Sequence, residues 1–148
     1  MTQINAYVTF EGNCREAMSF YHNCLGGELL IQTIGGSSIE DQCPTSMKDQ
    51  ILHASLCSDA LTLMGSDMIG PDGFHQGNNI ALALHCSTEE EIETFFSKLS
   101  LGGRVIHPLS VEFWGATFGM VTDRFGIRWM LSYDETLHVV LHTKNGKK

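Results

Sequence analysis

The stretch "NCREAMSFYHNCLGGELLIQTI", residues 13–34, carries the signals of one helix followed at once by one strand. Asn13 can act as an N-cap with Glu16 three residues later, and apolar side chains recur at helical spacing as far as Leu25. Two consecutive glycines then provide a helix stop before the strand-like run. The stretch therefore predicts an amphipathic helix that covers one face of a sheet.

The same order of signals recurs in "STEEEIETFFSKLSLGGRVIHPL", residues 87–109. Thr88 is the expected N-cap here, with Glu91 three residues on, and the helix again ends in two glycines before a strand-like run. When one half is slid over the other by 76 residues, Phe20 falls on Phe96. This self-similarity predicts a duplicated structural unit.

Each half also contains three further strand candidates. The first strands are "INAYVTF" and "IALALHC", and the last two strands are "QILHASL" and "ALTLMGS" in one half, "ATFGMVT" and "IRWMLSY" in the other. The short links "CSDA" and "DRFG" are typical of hairpins. We therefore predict an α+β fold of two tandem βαβββ modules, at about residues 4–67 and 78–134, in one domain of residues 1–134, with a C-terminal tail at residues 135–148.

One such module covers one face of its sheet with its helix and leaves the other face bare. Two modules side by side can curve their bare faces into a shared cleft, so we expect a mixed sheet that encloses a cleft. The sequence leaves open whether the modules pair within one chain or across a dimer.

Composition and charge exclude several classes of protein. The chain has 148 residues, 43% of them hydrophobic and 18% charged, as in a single globular domain. The net charge is −8, and the only basic run is the closing "KNGKK", so we expect no nucleic-acid partner. No apolar run approaches the roughly 20 residues that cross a bilayer, so we expect no membrane partner.

The cysteines indicate the compartment. There are five, without any C-x-x-C spacing, so neither a zinc knuckle nor a redox pair is encoded. The N-terminus lacks the pattern of a signal peptide. We therefore expect free thiols in the cytoplasm.

Several stretches together resemble the PhnB-like branch of the vicinal oxygen chelate superfamily, which includes glyoxalase I, extradiol dioxygenases and bleomycin-resistance proteins. They are "YVTFEGNCREAMSFYHNCLGGELL", "ILHASL", "LTLMGSD", the second helix before "LGGRV", and above all "FWGATFGMVTDRFGIRWML". The resemblance implies a glyoxalase-like fold, a homodimer and a small organic molecule as ligand. Some members of the branch are labelled demethylubiquinone methyltransferases, but no glycine-rich turn for an adenosyl cofactor joins the first strand to the helix here.

In the metal-dependent relatives, the first and fourth strands of each module supply the ligands of one divalent ion. Matched to this sequence, those positions fall at Asn5 (or Ala6), Leu63, Asn79 and Met130. Two amides, an aliphatic side chain and a thioether do not form an ordinary site for Zn²⁺, Ni²⁺ or Fe²⁺. We therefore predict no metal and no other cofactor.

Two residues are candidates for catalysis. His53 resembles a recurrent histidine of the branch, and a ligand-facing role and a structural role are equally open for it. Asp67 matches an acidic residue frequent in the branch and could lie at the mouth of the cleft. Glu112 could act as an acid or base only in a dry pocket, and Asp123 is expected to bond backbone amides of its own turn. The other histidines are expected to be solvated or structural: His22, His75, His85, His107, His138 and His142.

The aromatic residues Phe118 and Trp129 are expected to pack mainly against the helix. An apolar cleft with a few polar groups would bind a small molecule by burial and stacking. Its predicted lining is Asn5, Tyr7, His53, Leu63, Asn79, Trp114, Met120 and Met130.

The sequence thus favours a metal-free binding protein. One alternative is a lyase, isomerase or dioxygenase whose divalent ion uses His53 with Asp67. Another is a protein-interaction module without ligand or catalysis.

Overall fold

The computed structural model of the chain describes residues 2–134, which fall into two compact units that divide between His75 and Gln76. The predicted tail, with His138 and His142, lies outside the described residues. Within residues 2–134 no helix has the length and apolar character needed to cross a membrane.

The first unit is a four-stranded mixed sheet with one long helix. Its strands lie in the order β1-β4-β3-β2, with β1 parallel to β4 and the other pairs antiparallel. Its elements are β1 (Ala6–Thr9), α1 (Cys14–Leu25), β2 (Glu28–Thr33), β3 (Ile51–Cys57) and β4 (Thr62–Ser66), with two short 3₁₀ turns at Glu40–Gln42 and Thr45–Met47 between β2 and β3.

The second unit repeats this topology. Its strands lie in the order β5-β8-β7-β6, and β5 is again parallel to its neighbour β8. Its elements are β5 (Ala81–His85), α2 (Glu89–Leu99), β6 (Arg104–Val111), β7 (Thr117–Thr122) and β8 (Arg128–Tyr133). The predicted α+β class with two βαβββ modules is confirmed, whereas their union in one domain with a shared cleft stays a prediction.

In each unit a glycine of the sheet lies in close contact with side chains on the helix side of the sheet. A Cβ on Gly65 of β4 would lie 3.1 Å from the ring of Phe10 and 3.2 Å from the sulfur of Met18. A Cβ on Gly119 of β7 would lie 2.7 Å from the ring of Phe96 on α2. This close packing fixes which alternate residues of each strand are buried under the helix.

The two helices begin in different ways. The predicted cap of α2 is confirmed, because Thr88 Oγ1 accepts a hydrogen bond of 3.0 Å from the backbone N–H of Glu91. Asn13 stands at the N-cap position of α1 but makes no side-chain cap, so that part of the prediction was wrong. The backbone N–H of Cys14 instead donates to Asp67 Oδ1 at 3.0 Å.

Asp67 is a buried cross-link, whereas the sequence had left open a position at the mouth of a cleft. It is 3% exposed, and its second oxygen accepts a 2.8 Å hydrogen bond from the backbone N–H of Ile51. One carboxylate thus joins the start of α1 to the start of β3. Because both oxygens satisfy buried backbone donors, the structure favours a structural role over catalysis.

Asp123 holds the β7–β8 turn as predicted. Its Oδ1 accepts the backbone N–H groups of Phe125 and Ile127 at 2.8 and 3.1 Å. Its Oδ2 accepts the indole N–H of Trp129 at 2.8 Å, a contact that the turn motif did not predict. The prediction that Trp129 is core is also confirmed, because its side chain is fully buried.

Replacing Asp67 with asparagine should destabilise the fold without changing its shape. The amide keeps one acceptor but turns a donor towards a buried N–H, which costs about 1–3 kcal/mol of unfolding free energy. Urea unfolding followed by circular dichroism measures the loss. The control is Asp59→Asn in the exposed β3–β4 link, and an equal effect of both changes would contradict this role for Asp67.

Candidate functional site

Each sheet has one face under its helix and one face away from it, which we call the open face. In the second unit, cross-strand pairing groups the open-face residues into three rows. The rows are Ser110–Phe118–Ser132–His85, then His107–Met120–Met130–Ala83, and then Arg104–Thr122–Arg128–Ala81. The intervening residues Val121, Trp129 and Leu131 are buried under α2.

The centre of this open face is apolar. Met120 and Met130 are direct neighbours across β7 and β8, and Met130 is 36% exposed although it lies within a sheet. Phe118 lies two residues along β7 from Met120, on the same face. The expectation that Phe118 packs against the helix was therefore wrong.

A polar cluster borders Phe118 on the β6 side. The imidazole of His107 contacts the Phe118 ring edge-on, with centroids 5.4 Å apart at 72°. Its Nε2 lies 3.3 Å from Glu112 Oε1, which also accepts a 3.1 Å hydrogen bond from Ser110 Oγ. Its Nδ1 lies 2.8 Å from the carbonyl oxygen of Pro108.

An irregularity in β6 brings this cluster together. His107 pairs with Met120 and Ser110 pairs with Phe118, so β6 uses three residues where β7 uses two. Such a bulge places His107 and Ser110 on the same face, although strict alternation would separate them. The sequence signal was Pro108, which is tolerated in strands at edges and bulges.

A second polar pair borders the same row on the β5 side. Ser132 Oγ lies 2.9 Å from Nδ1 of His85, on adjacent parallel strands. His85 and His107 were both expected to be solvated or structural, and the contact of His107 with the Phe118 ring was not predicted. The apolar centre therefore has a histidine on each side.

The open face of the first unit holds two of the predicted site residues together. Tyr7 and His53 contact each other, with ring centroids 5.8 Å apart. Asn5 is exposed just before β1, and its even spacing from Tyr7 assigns it to the same side. Leu63 is a correction, since it is 1% exposed under α1 and its neighbour Met64 takes the open face instead.

The remaining predicted residues lie at the margins of the second unit. Asn79 is exposed just before β5. Trp114 is 54% exposed in the β6–β7 turn and meets Phe113 edge-on at 4.8 Å. The predicted lining thus falls into two sets, one on each unit, and the cleft that would join them stays a prediction.

The residues at the positions that hold metal in relatives do not fit a divalent ion. With the register of β4 corrected, these positions carry Asn5, Met64, Asn79 and Met130, which are two amides and two thioethers. Zn²⁺, Ni²⁺ and Fe²⁺ require imidazole, thiolate or carboxylate donors. Elsewhere in residues 2–134, no three such side chains are grouped closely enough to bind an ion.

Cys14 and Cys86 are not activated nucleophiles. All five cysteines are free, and Cys14, Cys24 and Cys86 are buried. Burial raises the pKa of the Cys14 thiol to about 12, with the charge of Asp67 adding to the shift. Burial, with the charge of Glu91, likewise raises the pKa of Cys86 to about 12. Both thiols therefore stay protonated at neutral pH.

Comparison with known proteins assigns the family. The profile of a family described as 3-demethylubiquinone-9 3-methyltransferase matches residues 2–132. The chain belongs to this family. A putative member from Bacillus cereus, a PhnB protein, has a solved structure with 27% identity and a TM-score of 0.72, covering 90% of this chain and 100% of that one. The predicted PhnB-like branch is thereby confirmed.

Two further relatives are similar over nearly their whole length. Protein YjdN of Escherichia coli K12 is 32% identical over 138 residues, 87% of this chain and 93% of its own. The crystal structure of PA1353 from Pseudomonas aeruginosa is 40% identical, with a TM-score of 0.79, and covers 90% of this chain and 98% of that one. A glyoxalase-related enzyme from Fulvimarina pelagi, 15% identical with a TM-score of 0.61 over 90% of this chain and 89% of that one, shares the fold.

Thiol labelling of this PhnB-like protein should follow burial and pKa. At pH 8, iodoacetamide should modify the exposed Cys57 first and leave Cys14 and Cys86 unmodified, because a pKa of about 12 leaves almost no thiolate. Peptide mass spectrometry after timed quenching measures each site, and labelling in urea is the control. Modification of Cys14 as fast as Cys57 in the folded protein would contradict this assignment.

Proposed function

We propose that this PhnB-like protein binds a small, largely apolar organic molecule on the open face of its second sheet, without a divalent ion. One observation carries the proposal. Met120 and Met130 lie side by side next to Phe118, and the resemblance matches Met130 to a position that holds a metal ligand in the metal-dependent relatives. A surface of this kind binds an apolar molecule more favourably than it binds a cation.

The chemistry of these side chains suits an aromatic or aliphatic body. Thioethers are polarisable and adapt to a ligand's shape, and Phe118 adds a ring for edge or face contacts. Apolar surface removed from water contributes about 25 cal/mol per Å². The pairs His107–Glu112 and His85–Ser132 then offer polar contacts that would orient the molecule.

The enzymatic alternatives have less support from the same residues. A metal-dependent lyase, isomerase or dioxygenase would need donors that the matched positions lack. A methyltransferase, the activity in the family's description, would need a site for its methyl donor. The β1–α1 link "FEGN" has only Gly12, without the glycine-rich pattern of many nucleotide-binding turns. We therefore propose binding without a chemical step.

A protein-interaction module is the second candidate function. It is favoured by Phe113, which is 96% exposed at the β6–β7 turn beside the half-exposed Trp114. Large exposed aromatic side chains are common in protein interfaces. In this alternative the turn, and not the face with the two methionines, would be the binding surface.

The cytoplasmic location and the homodimer remain part of the proposal. Free cysteines persist in reducing compartments, and all five here are unpaired. Sedimentation velocity of the purified chain measures its oligomeric state.

Binding is best tested with the neutral fluorescent probe N-phenylnaphthylamine. The native protein should enhance its fluorescence in a saturable manner, and Met130→Gln should weaken binding about five- to tenfold by placing an amide in the apolar centre. Leu101→Gln makes a similar apolar-to-amide change at a more exposed side chain in the α2–β6 link and should leave binding unchanged.

The same titration separates the alternatives. Loss of the probe signal in Phe113→Ser, with Met130→Gln unaffected, would favour the interaction module. Absence of saturable binding to the folded protein would refute the proposal.

Metal analysis provides an independent prediction. Purified protein dialysed against equimolar Zn²⁺, Ni²⁺ or Fe²⁺ should retain far less than one ion per chain, because amide and thioether donors bind these ions weakly. Elemental analysis by mass spectrometry gives the ratio. One ion per chain, lost in His53→Ala, would instead support the metal-dependent alternative.

A further inference from the structure

We infer that the ligand of this open face is an organic anion, whose charged group is held by Arg104, Thr122 and Arg128. The inference rests on the proposed function, because it names the class of ligand for the same face. Its basis is the third row of the open face, next to the two methionines.

These three side chains occupy consecutive cross-strand positions. Arg104 of β6 pairs with Thr122 of β7, which in turn pairs with Arg128 of β8. Adjacent strands lie about 4.8 Å apart, so the two arginines flank Thr122 from backbones about 10 Å apart. Arginine side chains are long enough to converge above a threonine over that span.

Neither arginine is neutralised by a carboxylate in the part of the chain that the structure describes. Lys48 pairs with Glu40 and His107 lies beside Glu112, but within residues 2–134 no ion pair includes Arg104 or Arg128, although the chain carries a net charge of −8. Arg128 uses one donor on the carbonyl of Asn78, at 2.7 Å. A guanidinium has five donors, so most remain for a ligand.

Thr122 supplies an independent observation at the same place. Its Oγ1 is buried and has no hydrogen-bond partner within the described residues. Buried hydroxyls are nearly always bonded, so an orphan hydroxyl on the residue that pairs with both Arg104 and Arg128 indicates a missing partner. An anionic oxygen fits this position because it can accept from the hydroxyl and from both arginines.

The neighbouring row of methionines indicates the chemistry of the rest of the ligand. Met120 and Met130 lie two residues along β7 and β8 from Thr122 and Arg128, a distance of about 6.6 Å. A molecule anchored by its charged group on the arginine row would therefore lay an apolar body of one or two rings over the methionines. The class is an aromatic or aliphatic acid, with a carboxylate, sulfonate or phosphate group.

A matched pair of probes tests the inference. Anilinonaphthalene sulfonate has the ring system of N-phenylnaphthylamine with one added sulfonate. The sulfonate probe should bind the native protein about tenfold more tightly, the increment of a charge-assisted hydrogen bond, and the difference should shrink as salt rises. Fluorescence titration at two salt concentrations measures both affinities.

Variants in the row should affect only the charged probe. Arg104→Gln, at an exposed edge position, should weaken sulfonate binding about tenfold and leave the neutral probe unchanged. Arg128→Gln should have a similar effect. Thr122→Val should weaken sulfonate binding by about threefold, because the hydroxyl is lost. Arg15→Gln on α1 makes the same change of charge elsewhere and should change neither affinity.

The outcomes distinguish the two proposals. If the neutral probe binds but the sulfonate adds no affinity, or if Arg104→Gln weakens both probes equally, the anion site is refuted and the apolar site stands. If neither probe binds, both proposals fail. Circular dichroism and the melting temperature of each variant establish that it is folded.

Discussion

The close contact between each helix and its sheet is the constraint on which the rest of the structure depends. A side chain on Gly65 under α1 would crowd its neighbours, and one on Gly119 under α2 would displace the ring of Phe96. Once these positions face the helix, alternation assigns every neighbour along the strand to one side or the other. The buried side takes Leu63 and Trp129, and the open side receives Met64 and Met130. The candidate site is thus a consequence of packing on the opposite face.

Two buried carboxylates connect separate elements of the fold by hydrogen bonds. Asp67 connects the start of α1 to the start of β3, and Asp123 connects the β7–β8 turn to the indole of Trp129. The two are not equivalent in the duplication, since one follows its unit's last strand and the other precedes it. Each satisfies backbone donors that would be costly to bury alone. Asp67, a candidate for catalysis in the sequence, therefore serves the fold, as Asp123 does in its turn.

The open face of the second sheet has a gradient of chemistry along its strands. Arginines lie at one end, the methionines with His107 beside them lie in the centre, and Phe118 with the His85–Ser132 pair lies at the other end. Such a surface suits a molecule with an apolar body and distinct polar ends, since each row can satisfy a different part of it. The donors suited to a divalent ion are absent from the matched positions, so binding energy would come from burial and from charge-assisted hydrogen bonds.

The sequence by itself determined the duplication, both helices, the hairpins and the placement of Met120 and Met130, because these follow from local periodicity and turn chemistry. It could not determine the face of Leu63, because a one-residue change of register moves every side chain of a strand to the other side. The proximity of His107, Ser110 and Glu112 could not be predicted from the sequence either, because it depends on the bulge at Pro108. The row Arg104–Thr122–Arg128 spans three strands, and only tertiary pairing made these distant residues neighbours.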